Sequence, residues 1–374
     1  MEVRRITVYE VWMELKSEFK TSFGATRLRP ALLVRVEGRG GEEGWGEVVA
    51  GEGPWYSYET YETAWLVLEK YLIPLLVGRG YVERAYEVPK LLARVRGHNM
   101  AKAGIEEAFW DLEARLESKP LWKHIGGVRE RVESGVSVGI QGSLDELLSV
   151  VGAYLEAGYR RIKIKIEPGW DVEPVRALKR EYPDTPLQVD ANAAYTLKHL
   201  NVFRELDKYS LLMIEQPLHY EDLAGHAELA RHLTTPICLD ESIRGVHDAI
   251  AAYKLGAAHV INIKPGRVGG LWESIRIHDL WAQSLGLPVW IGGMLETGVG
   301  RGHLVALATL PGVSYPNDIS ASDRYYEEDI VEPPWELAGD GTIPAPQKPG
   351  IGREVLLERI EKLSRRKREF KPKA

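Results

Sequence analysis

The sequence predicts an α/β protein in which an α+β segment precedes a closed barrel of parallel strands. The first ~125 residues contain strand-like runs followed by helical runs, and short apolar runs then alternate with helical segments from residue 135 onward. Charged residues that end several of these runs recur every 24 or 25 residues. Strands alternating with helices indicate a parallel sheet. Seven or eight such units in under 200 residues favour a barrel over an open sheet.

The N-terminal segment begins with predicted strands. Alternation over residues 4–15, the apolar run 30–37 and the arm 44–50 predict strands joined by turns. Apolar residues at helical spacing then predict helices over residues 61–76 and 102–117. A sheet followed by helices is an α+β arrangement.

Seven short apolar runs predict the barrel strands, at residues 136–140, 161–166, 187–189, 211–214, 237–239, 260–263 and 289–291. Helical segments lie between them at residues 144–157, 173–180, 224–232, 246–255 and 272–284. The final segment is rich in Pro and Gly and contains one predicted helix, residues 354–367. The basic end, residues 363–374, is expected to be a solvated, frayed tail.

Composition excludes several classes of protein. The 374 residues carry 54 acidic and 48 basic side chains, and this net charge of −6 argues against a nucleic-acid-binding protein. No run approaches the ~18 apolar residues of a membrane span, and the N-terminus lacks the apolar core of a signal peptide. A single cysteine, Cys238, excludes an internal disulfide. We therefore expect a cytoplasmic enzyme, and its five Asn and five Gln are few enough to be typical of a heat-adapted source.

Evenly spaced charged residues stand within or just after the predicted strands. They are Lys163, Lys165, Asp190, Glu215, Asp240 and Lys264, with steps of 25, 25, 25 and 24 residues from Lys165 onward. One strand–helix unit of a barrel has about this length, so these residues occupy equivalent positions on successive strands. An Asp after an apolar run is by itself more often a helix cap. The joint pattern instead favours an active site at the barrel mouth, where the carboxyl ends of the strands meet.

The lysine pair is expected to point into the barrel. Lys163 and Lys165 are two residues apart, so both lie on one face of their strand, and the isoleucines between and beside them take the other face. An unpaired charge inside a barrel is costly, which argues for a functional role. A lysine beside another cation has a lowered pKa and can act as a base near neutral pH. Lys163 is expected to have this effect on Lys165, and Arg267 on Lys264.

The three acidic residues predict a metal site. Asp190, Glu215 and Asp240 lie on consecutive strands, and converging carboxylates repel unless protons or a cation enter. Oxygen-only ligands favour a hard divalent ion, with Mg²⁺ first and Mn²⁺ or another divalent ion as a substitute, whereas no His or Cys cluster suggests zinc. The lysine pair then stands on one side of the metal and Lys264 on the other. This pattern suits removal of a proton α to a carboxylate, with the metal stabilising the enediolate.

Nine motifs, spread over nearly the whole chain, carry a resemblance to a known family. They are FKTSFG (19–24), KAGIEEAFWDL (102–112), RIKIKIEPGWD (161–171), VDANAAY (189–195), IEQPL (214–218), LDES (239–242), INIKPGRVGG (261–270), GGMLETGVGR (292–301) and DISASDRYY (318–326). In these motifs the sequence resembles the enolase superfamily, its muconate-lactonizing subgroup, and within it the o-succinylbenzoate synthase/N-acylamino acid racemase family. Enolase-superfamily sites use a Lys or His base with Mg²⁺ holding the enediolate.

The resemblance implies roles for the matching residues. By this resemblance the Mg²⁺ ligands are Asp190, Glu215 and Asp240. The base that removes the α-proton is Lys165, its modulator is Lys163, and the acid or base on the opposite face is Lys264. The residues implied around the metal and the substrate are Asn192, Glu241, Arg267, Gly293, Met294, Glu296, Phe19, Phe23 and Tyr56.

The implied fold is a modified TIM barrel, (β/α)₇β, with an α+β capping domain built from both termini. We predict the cap over residues 1–128, the barrel over residues 129–330, and a C-terminal segment, residues 331–374, that returns to the cap. The cap would provide specificity and exclude water. The resemblance also implies a small carboxylate substrate and a homo-oligomer, with no nucleic-acid or membrane partner.

Two reactions are implied. In the synthase of menaquinone synthesis, Lys165 would take the α-proton of a cyclohexadiene carboxylate and hydroxide would leave from the same face, while Lys264 could remain a cation. In the racemase, Lys165 and Lys264 would exchange proton roles on opposite faces of an N-acylamino acid. Both amines must then be able to be neutral, so Arg267 is expected to matter more for racemisation. We expect both activities.

Other functions remain open at this stage. A dipeptide epimerase or a muconate-type cycloisomerase of the same subgroup would use the same lysines. In the epimerase we expect an Asp-x-Asp near the eighth strand, whereas here Ile319 and Ser320 follow Asp318. Glycine-rich stretches at residues 266–270 and 292–302 are compatible with a phosphate-binding barrel, although neither matches a nucleotide-binding fingerprint. A non-catalytic barrel is the last alternative.

Overall fold

The computed structural model describes residues 1–372. Its N-terminal part is an antiparallel sheet with the strands β1 (Val3–Thr21), β2 (Gly24–Gly38) and β3 (Glu43–Val48). The helices that follow are α1 (Tyr61–Val67), α2 (Ile73–Arg79), α3 (Val88–Leu91), α4 (Asn99–Leu116) and α5 (Leu121–His124). This order of a sheet followed by helices agrees with the expected α+β arrangement of the cap.

Close backbone packing joins α4 to the cap sheet. A Cβ atom added at Gly44 or Gly46 of β3 would lie 2.1 Å from the carbonyl oxygen of Ala108 or Gly104, respectively. Only glycine allows the two backbones to approach so closely. The longest helix of the cap is therefore fixed against β3.

Parallel strands form the barrel, as predicted. After β4 (Arg131–Glu133), which pairs outside the parallel sheet, these strands are β5 (Val136–Val138), β6 (Ile162–Lys165), β7 (Leu187–Asp190), β8 (Ile214–Glu215), β9 (Ile237–Leu239), β10 (Val260–Ile263) and β11 (Val289–Ile291). The segment 313–318 closes the ring as an irregular eighth strand. The Asp318 amide donates to the Ile291 carbonyl at 2.9 Å, and the Gly135 amide donates to the Asn317 carbonyl at 2.7 Å. The predicted (β/α)₇β fold with an α+β cap is confirmed.

Helices cover the outside of the barrel. They are α6 (Leu144–Glu156), α7 (Val172–Glu181), α8 (Leu200–Leu206), α9 (Leu223–Ala230), α10 (Val246–Leu255), α12 (Leu271–His278) and α13 (Gly298–Ala308). The short α11 (Pro265–Val268) follows Lys264 at the mouth instead and packs against α4 of the cap. π-Helical turns occur at Leu68–Leu72 and Asp279–Ser284. Within residues 1–372, no helix has the length and apolar character needed to cross a membrane.

The C-terminal segment corrects one expectation. After β12 (Val331–Glu332) and β13 (Thr342–Pro344), the predicted helix 354–367 is replaced by β14 (Glu354–Val355), α14 (Leu357–Leu363) and β15 (Ser364–Phe370). Strand β15 pairs antiparallel with β1, which gives the cap sheet the order β15-β1-β2-β3. The expectation of a frayed tail is therefore wrong as far as residue 370, although most side chains of β15 are exposed as expected. Residues 373 and 374 lie outside the described part. The domain boundaries at residues 128 and 330 stay predictions.

Basic side chains hold β15 on the cap sheet. The guanidinium groups of Arg365 and Arg366 stand 4.0 and 3.8 Å from the ring centroids of Trp12 and Trp65. Arg366 also pairs with Glu10 at 2.7 Å. Cation–π contacts and aliphatic stems let such residues cover apolar surface while their charged ends stay near water. A segment of mostly charged residues therefore forms strand β15, although apolar and polar residues do not alternate in its sequence.

Side chains fill the barrel interior in layers. At its lower end, Met213, Cys238, Val260 and Trp290 form a small apolar cluster that is fully buried. Residues two positions further along the same strands point to the same side and lie nearer the carboxyl ends. The apolar layer therefore supports a polar layer at the mouth.

A buried carboxyl group in the cap provides a test of stability. Burial raises the pKa of Glu107 in α4 well above its usual range, and the neighbouring carboxylates of Glu106 and Glu47 add to the shift. The folded state then binds a proton that the unfolded state releases, so the free energy of unfolding falls as pH rises above the ordinary carboxyl range near 4.5. We expect Glu107→Gln to raise the melting temperature at pH 8 and to change it little at pH 4, measured by calorimetry. The exposed Glu42→Gln is the matched control, and an equal effect of Glu107→Gln at both pH values would contradict this assignment.

Candidate active site

Strand register brings the predicted charged residues to one mouth of the barrel. Lys165 on β6 lies opposite Asp190 on β7, and Asp190 lies opposite Glu215 on β8. Asp240 and Lys264 come directly after β9 and β10. The regular spacing in the sequence thus becomes an arc of ionic side chains around the barrel rim.

The carboxylates of Asp190, Glu215 and Asp240 form one buried group, which we call the carboxylate triad. One oxygen from each residue lies within 4.8 Å of the other two, and all three residues are fully buried. The triad contains neither His nor Cys. Oxygen donors suit hard divalent cations, and three adjacent carboxylates need a positive charge among them. The triad can therefore hold a metal ion.

Glu215 is the member of the triad whose ionisation is most strongly opposed. Burial, and then the charge of Asp190, raise the pKa of Glu215 to about 7, against the attraction of Lys163. Two neutral amides support its oxygens, since Gln188 Nε2 donates at 2.8 Å and Asn262 Nδ2 at 2.6 Å. A cation bound by the triad would have to compete with a proton at this carboxyl group near neutral pH.

The lysine pair points into the barrel, as predicted. Lys165 Nζ donates to Asp190 Oδ2 at 2.6 Å and to Asn192 Oδ1 at 2.8 Å. Lys163 Nζ lies 2.9 Å from Glu215 Oε2 and 4.9 Å from the ring centroid of Trp290 on β11. Each ammonium is therefore held among carboxylates at the mouth.

Lys264 approaches the triad from the opposite side. Its Nζ donates to Asp240 Oδ2 at 2.7 Å and lies 3.3 Å from the hydroxyl oxygen of Tyr56, a residue of the cap. The Tyr56 hydroxyl donates to Asp240 Oδ1 at 2.8 Å. The cap thus reaches directly into the ionic cluster.

The structure corrects the expected effect of Arg267. Its guanidinium contacts Asp240 Oδ1 and donates from Nε to the Ile243 carbonyl at 2.6 Å, so its charge is directed at Asp240. Burial alone would lower the pKa of Lys264, but Asp240 outweighs burial and the pKa is raised. The expectation of a lowered pKa is therefore wrong in this arrangement. Burial also opposes ionisation of Asp240, yet Lys264 and Arg267 hold its pKa well below the usual range.

A cavity of about 380 Å³ opens above the triad, between the cap and the barrel. Six residues predicted to surround the substrate or metal line it, namely Phe19, Phe23, Tyr56, Asn192, Gly293 and Met294. The ammonium-bearing residues Lys163, Lys165 and Lys264 also line it. The cavity therefore brings apolar surface from the cap against the charged mouth of the barrel.

Three predicted residues lie behind the cavity wall instead. Glu241 accepts a hydrogen bond from Asn192 Nδ2 at 2.9 Å, and burial, then Asp240, raise its pKa to about 8. Glu296 accepts from the Met294 amide at 2.8 Å and thereby shapes the loop that lines the cavity. Arg267 lies behind Asp240, as described above. These residues support the lining rather than form it.

Sequence reasoning missed several polar residues. Gln188 and Asn262 stand two positions before Asp190 and Lys264, so the two-residue period of a strand could have identified them. Asp318, at the end of the eighth strand, contacts Lys163 Nζ through Oδ2 at 2.7 Å. No apolar run marks that strand, so the sequence gives no signal that Asp318 contacts Lys163.

Two protein-family models match the chain. The N-terminal domain of mandelate racemase/muconate lactonizing enzymes matches residues 3–126, and the enolase C-terminal domain-like family matches residues 146–359. The chain belongs to the enolase superfamily. The two matches cover the cap and most of the barrel, and the resemblance seen in the sequence motifs is confirmed.

Similar proteins within the superfamily align over nearly the full length. The o-succinylbenzoate synthase of Geobacillus kaustophilus is 48% identical over 97% of this chain and 96% of its own. An N-succinylamino acid racemase of Amycolatopsis sp. is 49% identical over 97% of this chain and 98% of its own. The crystal structure of an enolase-superfamily member from Listeria innocua, 37% identical, has a TM-score of 0.95 and covers 100% of both chains. The prediction of an enzyme is confirmed, and the phosphate-binding and non-catalytic barrels lose their support.

Proposed function

We propose that this enzyme removes the proton α to a carboxylate with the help of Mg²⁺ and acts as an o-succinylbenzoate synthase, an N-acylamino acid racemase or both. The observation that carries the proposal is the placement of Lys165 and Lys264 on either side of the carboxylate triad, facing one cavity. Relatives that carry each name are about equally similar to this chain, which supports including both reactions.

The carboxylate triad would hold the metal. Its three acidic side chains provide only oxygen donors, and Mg²⁺ needs few protein carboxylates, while Mn²⁺ or another divalent ion could substitute. When bound, Mg²⁺ would stabilise the negative charge that develops on the substrate carboxylate. The triad is fully buried, so this interaction would take place away from bulk water.

The two lysines would act on opposite faces of the substrate. Lys165 would take the α-proton on its face, with Lys163 as the neighbouring cation. Lys264 would remain an ammonium facing the intermediate during dehydration. During racemisation it would deliver or accept the proton on the second face.

The contacts of Asp318 argue against the dipeptide epimerase. Its oxygens are occupied by Lys163 at 2.7 Å and by Arg161 at 2.8 Å, so it offers no free carboxylate to the α-ammonium of a dipeptide. This arrangement favours a substrate whose α-nitrogen is acylated. A muconate-type cycloisomerase would fit the same lysines and remains the alternative to be tested.

A substrate panel tests the proposed function. Exchange of the α-proton in D₂O, followed by NMR, would be measured with N-acylamino acids and dipeptides, and dehydration and lactone isomerisation by absorbance. We expect exchange or turnover with N-acylamino acids, with the cyclohexadiene carboxylate, or with both, and much less with dipeptides and lactones. If the enzyme showed neither divalent-ion-dependent α-proton exchange nor dehydration, the proposed function would be wrong.

Arg267→Gln should separate the two reactions. Arg267 competes with Lys264 for Asp240, so its removal leaves Lys264 more firmly an ammonium. Racemisation needs a neutral Lys264 in one direction, whereas dehydration does not. We therefore expect Arg267→Gln to lower the rate of racemisation about tenfold more than the rate of dehydration, which corresponds to a change of one unit in the pKa of Lys264. The control is the exposed Arg244→Gln, and kcat/KM is compared for both substrates. Equal losses in the two reactions would show that this view of Lys264 is mistaken.

A further inference from the structure

Asp318 is tied down at both of its oxygens. Oδ2 lies 2.7 Å from Lys163 Nζ, and Oδ1 accepts from Arg161 Nη2 at 2.8 Å. Arg161 is fully buried, and its guanidinium lies 5.0 Å from the ring centroid of Trp290. Backbone pairing with Ile291 fixes Asp318 on the eighth strand. Asp318 is therefore a rigid anion on one side of Lys163.

Lys163 has two other carboxylate partners, and both belong to the triad. Its Nζ lies 2.9 Å from Glu215 Oε2 and 3.3 Å from Asp190 Oδ2. Lys165 Nζ binds the same oxygen, Asp190 Oδ2, at 2.6 Å. The two lysines thus share one oxygen, and the contact from Lys163 is the longer. The shortest contact of Lys163 is instead with Asp318.

A cation bound to the carboxylate triad would make it unfavourable for Lys163 and Lys165 to share Asp190 Oδ2. Asp190 and Glu215 would then direct their oxygens to the cation, and an ammonium close to them would compete for the same lone pairs. Of the three carboxylates around Lys163, Asp318 alone lies outside the triad. It can keep its contact with Lys163 whether or not a cation is present.

We infer that Asp318 is a positioning residue that draws the Lys163 ammonium toward the eighth strand and away from Asp190 Oδ2. This leaves that oxygen to Lys165 and to a divalent cation. The inference rests on the divalent-cation site of the proposed function, and it adds a residue that acts on cation binding through Lys163. Without Asp318, Lys163 would turn toward Asp190 and Glu215 and weaken cation binding.

A double-mutant cycle on cation binding tests this inference. Binding of Mn²⁺ would be measured by calorimetry and by electron paramagnetic resonance for wild type, Asp318→Asn, Lys163→Met and the double variant. We expect Asp318→Asn to bind Mn²⁺ about tenfold more weakly, which is the lower end of the loss that follows removal of a direct partner of a metal ligand. In the Lys163→Met background the same change should alter affinity by less than about twofold, because the effect passes through Lys163. The exposed Asp323→Asn is the matched control.

The outcomes separate the inference from the proposed function. If Asp318→Asn binds Mn²⁺ like wild type, or if its loss persists in the Lys163→Met background, Asp318 does not act through Lys163. Asp318→Ser is measured in the same cycle, so that poor folding of the Asn variant, seen as a low melting temperature, leaves a second test. Wild-type protein that binds no Mn²⁺ would overturn both ideas. Wild-type protein that completes the expected cycle but shows neither α-proton exchange nor dehydration would overturn the proposed reaction and leave the role of Asp318 intact.

Discussion

Replacing Lys165 or Lys264 by Ala should stop proton transfer on one face of the substrate and spare the other. Lys165 and Lys264 approach the carboxylate triad from opposite sides, and each would serve one enantiomer of an N-acylamino acid. We expect α-proton exchange of one enantiomer to fall by roughly 10²–10⁴-fold in Lys165→Ala, and of the other by a similar factor in Lys264→Ala. Racemisation should be lost in both variants, and dehydration in Lys165→Ala. Exchange in D₂O, measured by NMR for each pure enantiomer, gives the readout.

Lys198→Ala provides the control, since this lysine is exposed and does not line the cavity. If each lysine variant slowed exchange of both enantiomers equally, the two-face arrangement would be wrong. Dehydration that survived in Lys165→Ala at the wild-type rate would show that another group removes the α-proton.

Removal of divalent cations should abolish activity, and the affinity for Mg²⁺ should depend on pH. Stabilisation of the enediolate by a metal is worth several kcal/mol, so we expect chelation to lower the rate by roughly 10³-fold or more. Burial and Asp190 raise the pKa of Glu215 to about 7, so a proton occupies this carboxyl group at lower pH. Cation affinity should therefore fall up to about tenfold for each pH unit below this value. Calorimetric titration with Mg²⁺ between pH 5 and 9 measures it.

A second acidic group in the cap makes a useful control for this titration. Glu113, Glu117 and His124 lie close together, but Arg84 already pairs with both glutamates. Glu117→Gln should leave Mg²⁺ affinity and stoichiometry unchanged, whereas Glu215→Gln should weaken binding and remove the pH dependence. Binding that is insensitive to Glu215→Gln would place the cation elsewhere.

Much of the site could be predicted from the sequence because a barrel repeats. Steps of 24 or 25 residues between Lys165, Asp190, Glu215, Asp240 and Lys264 correspond to one strand–helix unit, and the repeat alone implies a shared rim. The inward direction of Lys163 and Lys165 followed from the two-residue period of a strand. These inferences need only periodicity, which is a local property of the chain.

Features that depend on distant segments could not be predicted in this way. Strand β15 consists mainly of charged residues, and its pairing with β1 together with its contacts with Trp12 and Trp65 makes it a strand of the cap. The eighth strand carries Asp318 but has no apolar run. It closes the barrel through backbone hydrogen bonds, from the Gly135 amide to Asn317 and from the Asp318 amide to Ile291. The pKa of Lys264 is raised because its direct contact with Asp240 outweighs the opposite effect of burial. The sequence predicted that both residues lie at the mouth, but not that they are in contact.

The pairing of β1 with β15 has a consequence for how the nascent protein matures. These two strands are separated in the chain by the whole barrel, so β15 leaves the ribosome only after every barrel strand has been made. Contacts between such distant segments form slowly, because the chain must first lose much of its freedom. The four-stranded cap sheet therefore cannot be complete until the end of the chain has been synthesised, although every cap residue that lines the cavity precedes the barrel.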